Sequence, residues 1–510
     1  MAKKDRNKFQ SPSFGPAGGS IAMAVLLSNG ALMSGAGDGD FFGIAVGVGL
    51  GTVCRFVFFD INVNQSCSFA WCAYALRSGF ARLDELESRR DVPKPKRSTK
   101  PMKTTSVIGS EMQSKINHEQ PPMQVAANRR RFIRLIGGGT VLAVVPLATG
   151  CSSVVPENTV QAWAPPKAEL GLREFMLAHA LLAPNPHNRQ PWLADLRRPD
   201  EITLVCDKDR LLPETDPFGR QILLGCGAFI ELASIAAAQR GYRTSVELFP
   251  QGAPAMDRLP SGSTVATLKL VRDANVKPDP LFAQIQRRHT NKGVYDNAKV
   301  IDPSALQQLS VIATGFGLEA GAITDEKRVV GVRQLTRASY ETEMITKRTW
   351  LETANLLRIG PDEVNQHRDG IAVMGIMPRV LTAAGMFDRF AIPVRGDSNF
   401  NRLMERWAPF ETGSGYYWMA SKGNDRAAQV NSGRAYVRTH LQATALGIDM
   451  HPLSQAVQEF VEVRPQYTGL HSLLGFDAAT KTVQMLCRVG YGQVAALPTP
   501  RRDLKGMVQV

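Results

Sequence analysis

Ten residues that contain three prolines separate a helical pattern from a strand-like pattern, and no other segment constrains the fold of this chain as strongly. They read Ala183-Pro184-Asn185-Pro186-His187-Asn188-Arg189-Gln190-Pro191-Trp192. Each proline fixes its own φ and restricts the residue before it, so this Pro-rich loop is stiff and cannot continue a helix. The side-chain amides of Asn188 and Gln190 each offer a donor and an acceptor. The pattern fits recognition of a flat heterocycle, or a solvated connector.

The Pro-rich loop resembles the P-S-S-x-N-x-Q-P-W loop of the flavin-dependent nitroreductase family. The matching positions are Pro184, Asn188, Gln190, Pro191 and Trp192. Asn185 and Pro186 replace the two serines of the pattern, so contacts made through those serines do not transfer. The resemblance implies that Pro184, Asn185, Asn188 and Gln190 help to bind FMN.

A second motif, Arg288-His289-Thr290-Asn291-Lys292, follows a helical pattern at Asp279–Arg288. By itself it is typical of cations that offset the dipole at the end of a helix. It also resembles the R-H-T-N-R stretch of the Acg-like branch of the family, with Lys292 in place of the last arginine. The resemblance implies that Arg288, Thr290, Asn291 and Lys292 hold the FMN phosphate, because arginine can bind phosphate through two hydrogen bonds.

Two later segments complete the expected cofactor site. Ser454 and Gln455 follow the sequence Met450-His451-Pro452-Leu453, and the resemblance implies that they lie beside the flavin ring. Arg501 and Arg502 follow Pro498-Thr499-Pro500 and are either phosphate ligands, as in the family, or part of a solvated basic tail. No side chain is assigned a catalytic role, because the flavin carries the chemistry. No metal-binding motif is present.

Charge and cysteine content narrow the class of protein. The net charge is +14, but residues 82–134 alone hold 13 Lys and Arg against 6 Asp and Glu. The excess therefore marks a basic leader and argues against a nucleic-acid partner. The seven cysteines form no C-x-x-C pair, and Cys206, Cys226 and Cys487 in the body are expected to be small buried hydrophobic residues.

An export signal is expected at residues 123–151. Asn128–Arg134 and the uncharged run Leu135–Gly150 resemble a twin-arginine signal, and the closing Gly150-Cys151 resembles a lipoprotein cleavage box. The resemblance implies export of the folded, cofactor-loaded protein by the twin-arginine translocase. It also implies a periplasmic or cell-envelope location with a lipid anchor at Cys151. The alternative is a buried helix with a basic flank.

The regions around this signal receive different predictions. Residues 1–122 are expected to be an overlong gene model, with translation starting at Met102, Met112 or Met123, or a membrane-associated extension built on residues 41–59. Residues 152–167 are expected to form a tether. Residues 168–510 are long enough for a substantial core and form the expected FMN-binding body.

Helical and strand-like periodicities alternate loosely along the body, which predicts an α+β sandwich. The helices are expected at Glu169–Leu182, Arg220–Arg240, Lys327–Leu357 and Asp425–Leu446, and the strands at Glu201–Val205, Thr244–Phe249, Thr264–Val271, Ile448–Pro452 and Val483–Tyr491. The body is nearly twice the length of a usual nitroreductase subunit. The resemblance therefore implies the single-chain branch, in which two similar halves mimic the family's homodimer and the protein is a monomer.

The expected activity is a ping-pong transfer of electrons from NAD(P)H or another donor to a nitroaromatic or quinone-like acceptor. The segment Val394–Lys422 is rich in glycine and aromatic residues, which is typical of a lid or of an ordinary surface excursion. A lid that stayed closed would instead give a protein that binds or sequesters FMN without turnover. No H-E-x-x-H, G-x-S-x-G or P-loop motif points to another class of enzyme.

Overall fold

A computed structural model describes residues 41–49, 54–62, 155–385 and 387–509. The chain divides into two compact units, 1–127 and 128–510. In the first unit, β1 (Phe41–Gly49) pairs antiparallel with β2 (Cys54–Asn62). The export signal and the candidate translation starts lie outside the described residues, so these remain predictions.

The described part of the second unit begins with a segment that was expected to be a tether. Instead, α1 (Glu157–Val160) and the 3-10 turn Gln161–Trp163 pack on the body. The Trp163 side chain is buried, and its Nε1 donates a hydrogen bond to the carbonyl oxygen of Thr499 at 2.8 Å. The tether prediction is therefore wrong for residues 157–163, because an aromatic side chain in this stretch has a buried site to fill.

The first half of the body is a five-stranded sheet with two helices. In chain order its elements are α2 (Leu172–Ala180), β3 (Trp192–Asp195), β4 (Glu201–Cys206), α3 (Arg220–Gln239), β5 (Tyr242–Leu248) and β6 (Thr264–Arg272). The strand order is β13-β3-β4-β6-β5, where β13 (Val508–Gln509) comes from the far end of the described chain and pairs parallel with β3. The other pairings are antiparallel.

The second half is a four-stranded antiparallel sheet of order β11-β12-β10-β7 with helices around it. Its helices are α4 (Pro303–Thr314), α5 (Glu326–Ile345), α6 (Lys347–Asn355), α7 (Gly360–His367), α8 (Ile376–Ala383), α9 (Ser398–Trp407), α10 (Arg426–Ala445) and α11 (Arg464–Leu474). Its strands are β7 (Glu319–Ile323), β10 (Gly415–Lys422), β11 (Asp449–Pro452) and β12 (Lys481–Gly490), and a separate parallel pair is formed by β8 (Leu357–Ile359) and β9 (Ile371–Val373).

Helices α3 and α10 connect the two halves by crossing at very short range. A Cβ added to Gly227 would lie 1.9 Å from the carbonyl oxygen of Val430, and one added to Gly433 would lie 1.9 Å from that of Leu224. Only glycine fits at both positions. Among the described helices, only α3 is long and apolar enough to cross a bilayer, but 89% of its most apolar window is buried in the body. It is therefore a core helix.

The α+β prediction is confirmed, and so is the burial of Cys206, Cys226 and Cys487. Two element predictions are wrong. Residues 280–284 form only a short 3-10 helix in place of the expected helix at Asp279–Arg288. The long helix expected at Lys327–Leu357 breaks at Thr346, whose extended backbone separates α5 from α6. The mimicry of a dimer by two similar halves remains a prediction.

Val394–Lys422 is not a lid along its length. Residues 398–407 form α9, and 415–422 form β10, which lies between β12 and β7 in the second sheet. The side chains of Trp407, Tyr416 and Tyr417 are buried. The lid prediction is wrong for this strand, because its aromatic residues serve the core. Aromatic and glycine content alone did not distinguish the two roles.

Candidate functional site

The Pro-rich loop holds an unusual backbone. His187, Asn188 and Gln190 have φ values of 47°, 51° and 52°, in the left-handed region that non-glycine residues rarely adopt. Each such residue costs on the order of 1–3 kcal/mol, which the surrounding contacts must offset, and strained residues of this kind cluster at ligand-binding sites. The loop is thus as stiff as its prolines predict, and it is strained as well.

The two amides of the loop bind protein groups. Gln190 is buried; its Oε1 accepts from the backbone N–H of Arg502 at 2.8 Å, and its Nε2 donates to the carbonyl oxygen of Arg368 at 2.8 Å. Asn188 donates from Nδ2 to the carbonyl oxygen of Pro500 at 3.0 Å and accepts at Oδ1 from Arg501 at 2.8 Å. Gln190 therefore fixes the loop, while Asn188 keeps one amide hydrogen for another acceptor.

Asn185 and Pro184 are the two remaining loop residues of the predicted site. Asn185 accepts at Oδ1 from the backbone N–H of Gln190 at 2.7 Å and donates from Nδ2 to the carbonyl oxygen of Ala183 at 3.0 Å. Pro184 is partly buried beside it. Arg502 donates to the carbonyl oxygens of Gln190 and Trp192 at 2.7 and 2.9 Å. It thus holds the loop against β3 and is not a solvated tail residue.

Two buried guanidinium groups converge behind the loop. Arg288 and Arg501 both donate to the carbonyl oxygen of Leu182, at 3.0 and 3.3 Å. Their Cζ atoms lie 5.7 and 5.0 Å from the ring centroid of Trp163. Within residues 155–385 and 387–509, neither arginine forms an ion pair with a carboxylate. Nε and Nη1 of Arg288 are buried with no hydrogen-bond partner.

The electrostatic consequence is a site that lacks negative charge. Burial lowers the pKa of Arg288 to about 10. Burial, and then the charge of Arg288, lower the pKa of Arg501 to about 9. Burial, together with the charges of both arginines, lowers the pKa of His289 to about 4. A bound anion would relieve all three effects, and the unpartnered Nε and Nη1 of Arg288 match the oxygens of a phosphate.

A second cluster forms around His187. Its Nε2 lies 3.9 Å from Oε1 of Glu343, and its Nδ1 is buried without a partner. Burial, and then the charges of Lys292 and Arg189, lower the pKa of His187 to about 4. Burial raises the pKa of Glu343 to about 7, an effect that the neighbouring Gln458 and Gln455 oppose. His187 and Glu343 are therefore mainly neutral together near pH 6.

Lys292 reaches this cluster from the second predicted motif. Its side chain is exposed, yet the surrounding protein and the charge of Arg406 lower its pKa. Lys292 and Gln455 therefore lie at the cluster of His187 and Glu343 beside the Pro-rich loop. The resemblance had instead grouped Lys292 with Arg288 as a phosphate ligand.

Other predicted site residues have different surroundings. Asn291 donates from Nδ2 to the carbonyl oxygen of Val494 and accepts at Oδ1 from the backbone N–H of Gly293, both at 2.9 Å. Its amide therefore shapes the turn after Arg288. The carbonyl oxygen of Ser454 accepts from Gln221 at 3.4 Å. Thr290 and Ser454 are both partly buried.

Sequence reasoning missed three residues of these clusters. Trp163 lies in the presumed tether, Glu343 reads as an ordinary charge on a helix surface, and His187 was given no role. Glu343 is only 1% exposed. Nothing in its local pattern signals this burial, since the groups that cover it come from distant parts of the chain. The signal for Trp163 was an isolated aromatic residue in a polar stretch.

The chain resembles proteins from Mycobacterium tuberculosis. It is 26% identical over 340 residues to Rv3131, a candidate NAD(P)H nitroreductase, which covers 66% of this chain and 90% of that protein. It is 44% identical over 71 residues to Acg, another candidate NAD(P)H nitroreductase, which covers 14% of this chain and 21% of Acg. No family model matches. The chain is thus similar to candidate NAD(P)H nitroreductases over about two thirds of its length.

Solved nitroreductase structures have low sequence identity and low structural similarity to this chain. An FMN-dependent enzyme from Mycobacterium smegmatis in complex with NADPH is 14% identical and covers 44% of this chain and 96% of its own, with a TM-score of 0.29. A Bacteroides fragilis nitroreductase with bound FMN is 12% identical and covers 46% and 98%, with a TM-score of 0.28. Scores this low carry no argument about the site, which rests on the contacts described above.

Proposed function

We propose that this protein is an FMN-dependent oxidoreductase that passes electrons from NAD(P)H or another donor to a nitroaromatic or quinone-like acceptor. The observation that carries the proposal is the buried pair of Arg288 and Arg501, which has no carboxylate partner among the described residues. The printed names of the M. tuberculosis relatives support the same class of reaction.

The arginine pair fits the phosphate of FMN. Burying two cations without a counter-charge is costly, and the cost is recovered only if an anion binds there. The free Nε and Nη1 atoms of Arg288 supply two donors that no protein group uses. Trp163 lies within 6 Å or so of both guanidinium carbons and covers them on one side, which strengthens their hold on a charged group by excluding water.

The side chains beside the Pro-rich loop fit the remaining needs of a flavin. FMN would supply hydride transfer through its ring, and the protein orients that ring and sets its electrostatics. The ammonium of Lys292 would favour negative charge on the ring edge. The free amide hydrogen of Asn188 would donate to a ring oxygen, and the mainly neutral His187 avoids a second cation at this wall.

Three further statements belong to the proposal. Export by the twin-arginine translocase, with a lipid anchor at Cys151 and a periplasmic or cell-envelope location, is proposed from the motifs at residues 128–151. A monomer is also proposed, and the joining of two sheets within one chain by the close helix contact at Gly227 and Gly433 supports it. N-terminal sequencing of the mature protein and light scattering test these statements directly.

The purified full chain tests the function. We expect a yellow protein that releases FMN on denaturation, loses its visible absorbance with NADPH under anaerobic conditions, and regains it with a nitroaromatic or quinone. A yellow protein that NADPH does not bleach would favour another donor, or binding of FMN without turnover. A colourless protein that cannot be loaded with FMN would defeat both the enzyme and the sequestration hypotheses.

A variant pair separates binding from reactivity. Lys292→Gln should retain FMN but react more slowly, because the ring edge loses a nearby positive charge. Lys277→Gln, which removes an exposed lysine from the segment after β6, is the matched control. Equal reduction rates for both variants would remove Lys292 from the proposed site.

A further inference from the structure

A groove near the Pro-rich loop is lined by more cationic than anionic side chains. It has a volume of about 730 Å³ and lies between the end of α7 and residues 502–506. Its lining includes the charged residues Arg210, Arg368, Arg502, Asp503 and Lys505, together with His367. We call this feature the basic groove. It contains neither Arg288 nor Arg501.

The carboxylates behind the groove are shared among several arginines. Asp369 lies 2.9 Å from both Arg189 and Arg210 and 2.7 Å from Arg358. Asp207 lies 3.2 Å from Arg210 and 3.6 Å from Arg502. Four arginines thus share two carboxylates as ion-pair partners, so the side chains behind the groove carry a net positive charge.

The remaining groups of the groove do not remove that excess. Arg368 pairs with Asp503 at 2.6 Å, which leaves the exposed Lys505 as an additional cation. Nε of Arg502 is buried with no hydrogen-bond partner. Burial, and then the charge of Arg210, lower the pKa of Arg502 to about 10. The cations therefore crowd one another, and an anion in the groove would relieve the repulsion.

We propose that the basic groove binds the phosphate group of a second ligand, distinct from the proposed flavin. Arg502 and Lys505 make the principal contacts, and Arg210 supports Arg502 from behind. The phosphate comes from a soluble nucleotide or from the headgroup of an anionic phospholipid, which present the same chemistry to these side chains. The proposal does not use the pair of Arg288 and Arg501 assigned to the flavin phosphate, and it places Arg502, which the sequence also offered as a flavin ligand, at the groove instead.

The groove is connected to the Pro-rich loop by direct hydrogen bonds. Arg502 donates to the carbonyl oxygens of Gln190 and Trp192, and Arg210 donates to that of Arg189 at 3.2 Å. A phosphate that draws either guanidinium toward the groove would compete with these bonds. Binding of a phosphate in the groove would therefore change the hydrogen bonds that hold the strained Pro-rich loop beside Lys292.

Calorimetric titration of the full chain with inorganic pyrophosphate and with NADPH, and sedimentation with phosphatidylglycerol or phosphatidylcholine vesicles, test the proposal. We expect Lys505→Ala to weaken binding about fivefold, in line with the loss of one exposed charge contact. Asp503→Asn should strengthen it, and added salt should weaken it. Lys277→Ala, which removes the same charge elsewhere, should have little effect.

The outcomes distinguish the sources. Binding of pyrophosphate and NADPH that depends on Lys505 supports a nucleotide, whereas binding only to phosphatidylglycerol vesicles, again dependent on Lys505, supports a lipid headgroup. The proposal is overturned if neither probe binds, if Lys277→Ala weakens binding as much as Lys505→Ala, or if binding ignores Lys505 and is lost in Arg288→Met. The last result would place the anion at the arginine pair.

Discussion

Replacing Arg288 by methionine should stabilise the protein without its cofactor while it weakens FMN binding. The side chain is 2% exposed, and burial lowers its pKa from 12.5 to about 10. That difference corresponds to a cost of about 3 kcal/mol for keeping the charge in the folded state. Methionine matches only the aliphatic part of the arginine side chain and carries no charge, so it removes this cost.

The losses that accompany the substitution are small in the free protein. Arg288 donates to the carbonyl oxygen of Leu182, but Arg501 also donates to that oxygen, so the carbonyl keeps a partner. The lost hydrogen bond offsets about 1.5–3 kcal/mol of the gain. The free energy of unfolding of the cofactor-free variant should therefore be equal to that of the wild type, or higher by about 1 kcal/mol.

Binding of FMN should change in the opposite direction. Removal of one arginine from a desolvated phosphate contact costs about 2–5 kcal/mol, which raises the dissociation constant at least thirtyfold or so. Urea unfolding of the cofactor-free proteins and fluorescence titration with FMN measure the two effects. Arg287→Met, at the exposed neighbouring residue, is the control and should change neither quantity greatly. A variant that is destabilised by several kcal/mol yet binds FMN normally would show that Arg288 is structural.

Three further substitutions test other parts of the structure. Glu343→Gln should flatten the pH dependence of the free energy of unfolding. Burial raises the pKa of Glu343 from 4.5 to about 7, so its neutral form stabilises the wild type by about 3 kcal/mol below pH 4.5, and this stability is lost as the pH rises through 7. Urea unfolding of both proteins at about pH 5 and at about pH 8 measures the difference. Gly433→Ala should cost about 3 kcal/mol or more, because its Cβ would meet a backbone oxygen at 1.9 Å, whereas thermal melting of Gly331→Ala, which meets only the flexible end of Leu473, should show little loss. Gln190→Leu should lower stability by about 2–4 kcal/mol in the same assay, since it leaves a partly buried carbonyl oxygen and a partly buried N–H without partners; unchanged melting would show that water replaces the amide.

Local sequence patterns were sufficient for much of the architecture. The helices α3 and α10 and the strands β4, β5, β6, β11 and β12 lie close to their predicted positions, because each has a clear period and a glycine, proline or turn at its boundary. What these patterns lacked was the partner: nothing in α3 alone shows that Gly227 faces the backbone of α10.

The candidate site was predictable in its members and less so in their roles. Asn188 and Gln190 were expected to face a ligand, but residues more than 150 positions away occupy most of their hydrogen-bonding groups. Arg288 and Arg501 were expected to hold a phosphate, and their lack of carboxylate partners in the described body is a property that only the fold reveals. The connection between α7 and β9, which contains Arg368 and Asp369, had no sequence signal that tied it to the loop.

The hydrogen bond between Asn188 and Arg501 spans 313 positions of the chain. The ribosome makes the Pro-rich loop long before it makes the residues that hold this loop, and strand β13 joins β3 at the same late stage. Until then few contacts stabilise the strained backbone at His187 and Asn188. The Pro-rich loop should therefore reach its final conformation late in folding, after synthesis of most of the body. The cofactor would then bind only after the residues around Arg501 and strand β13 have been synthesised.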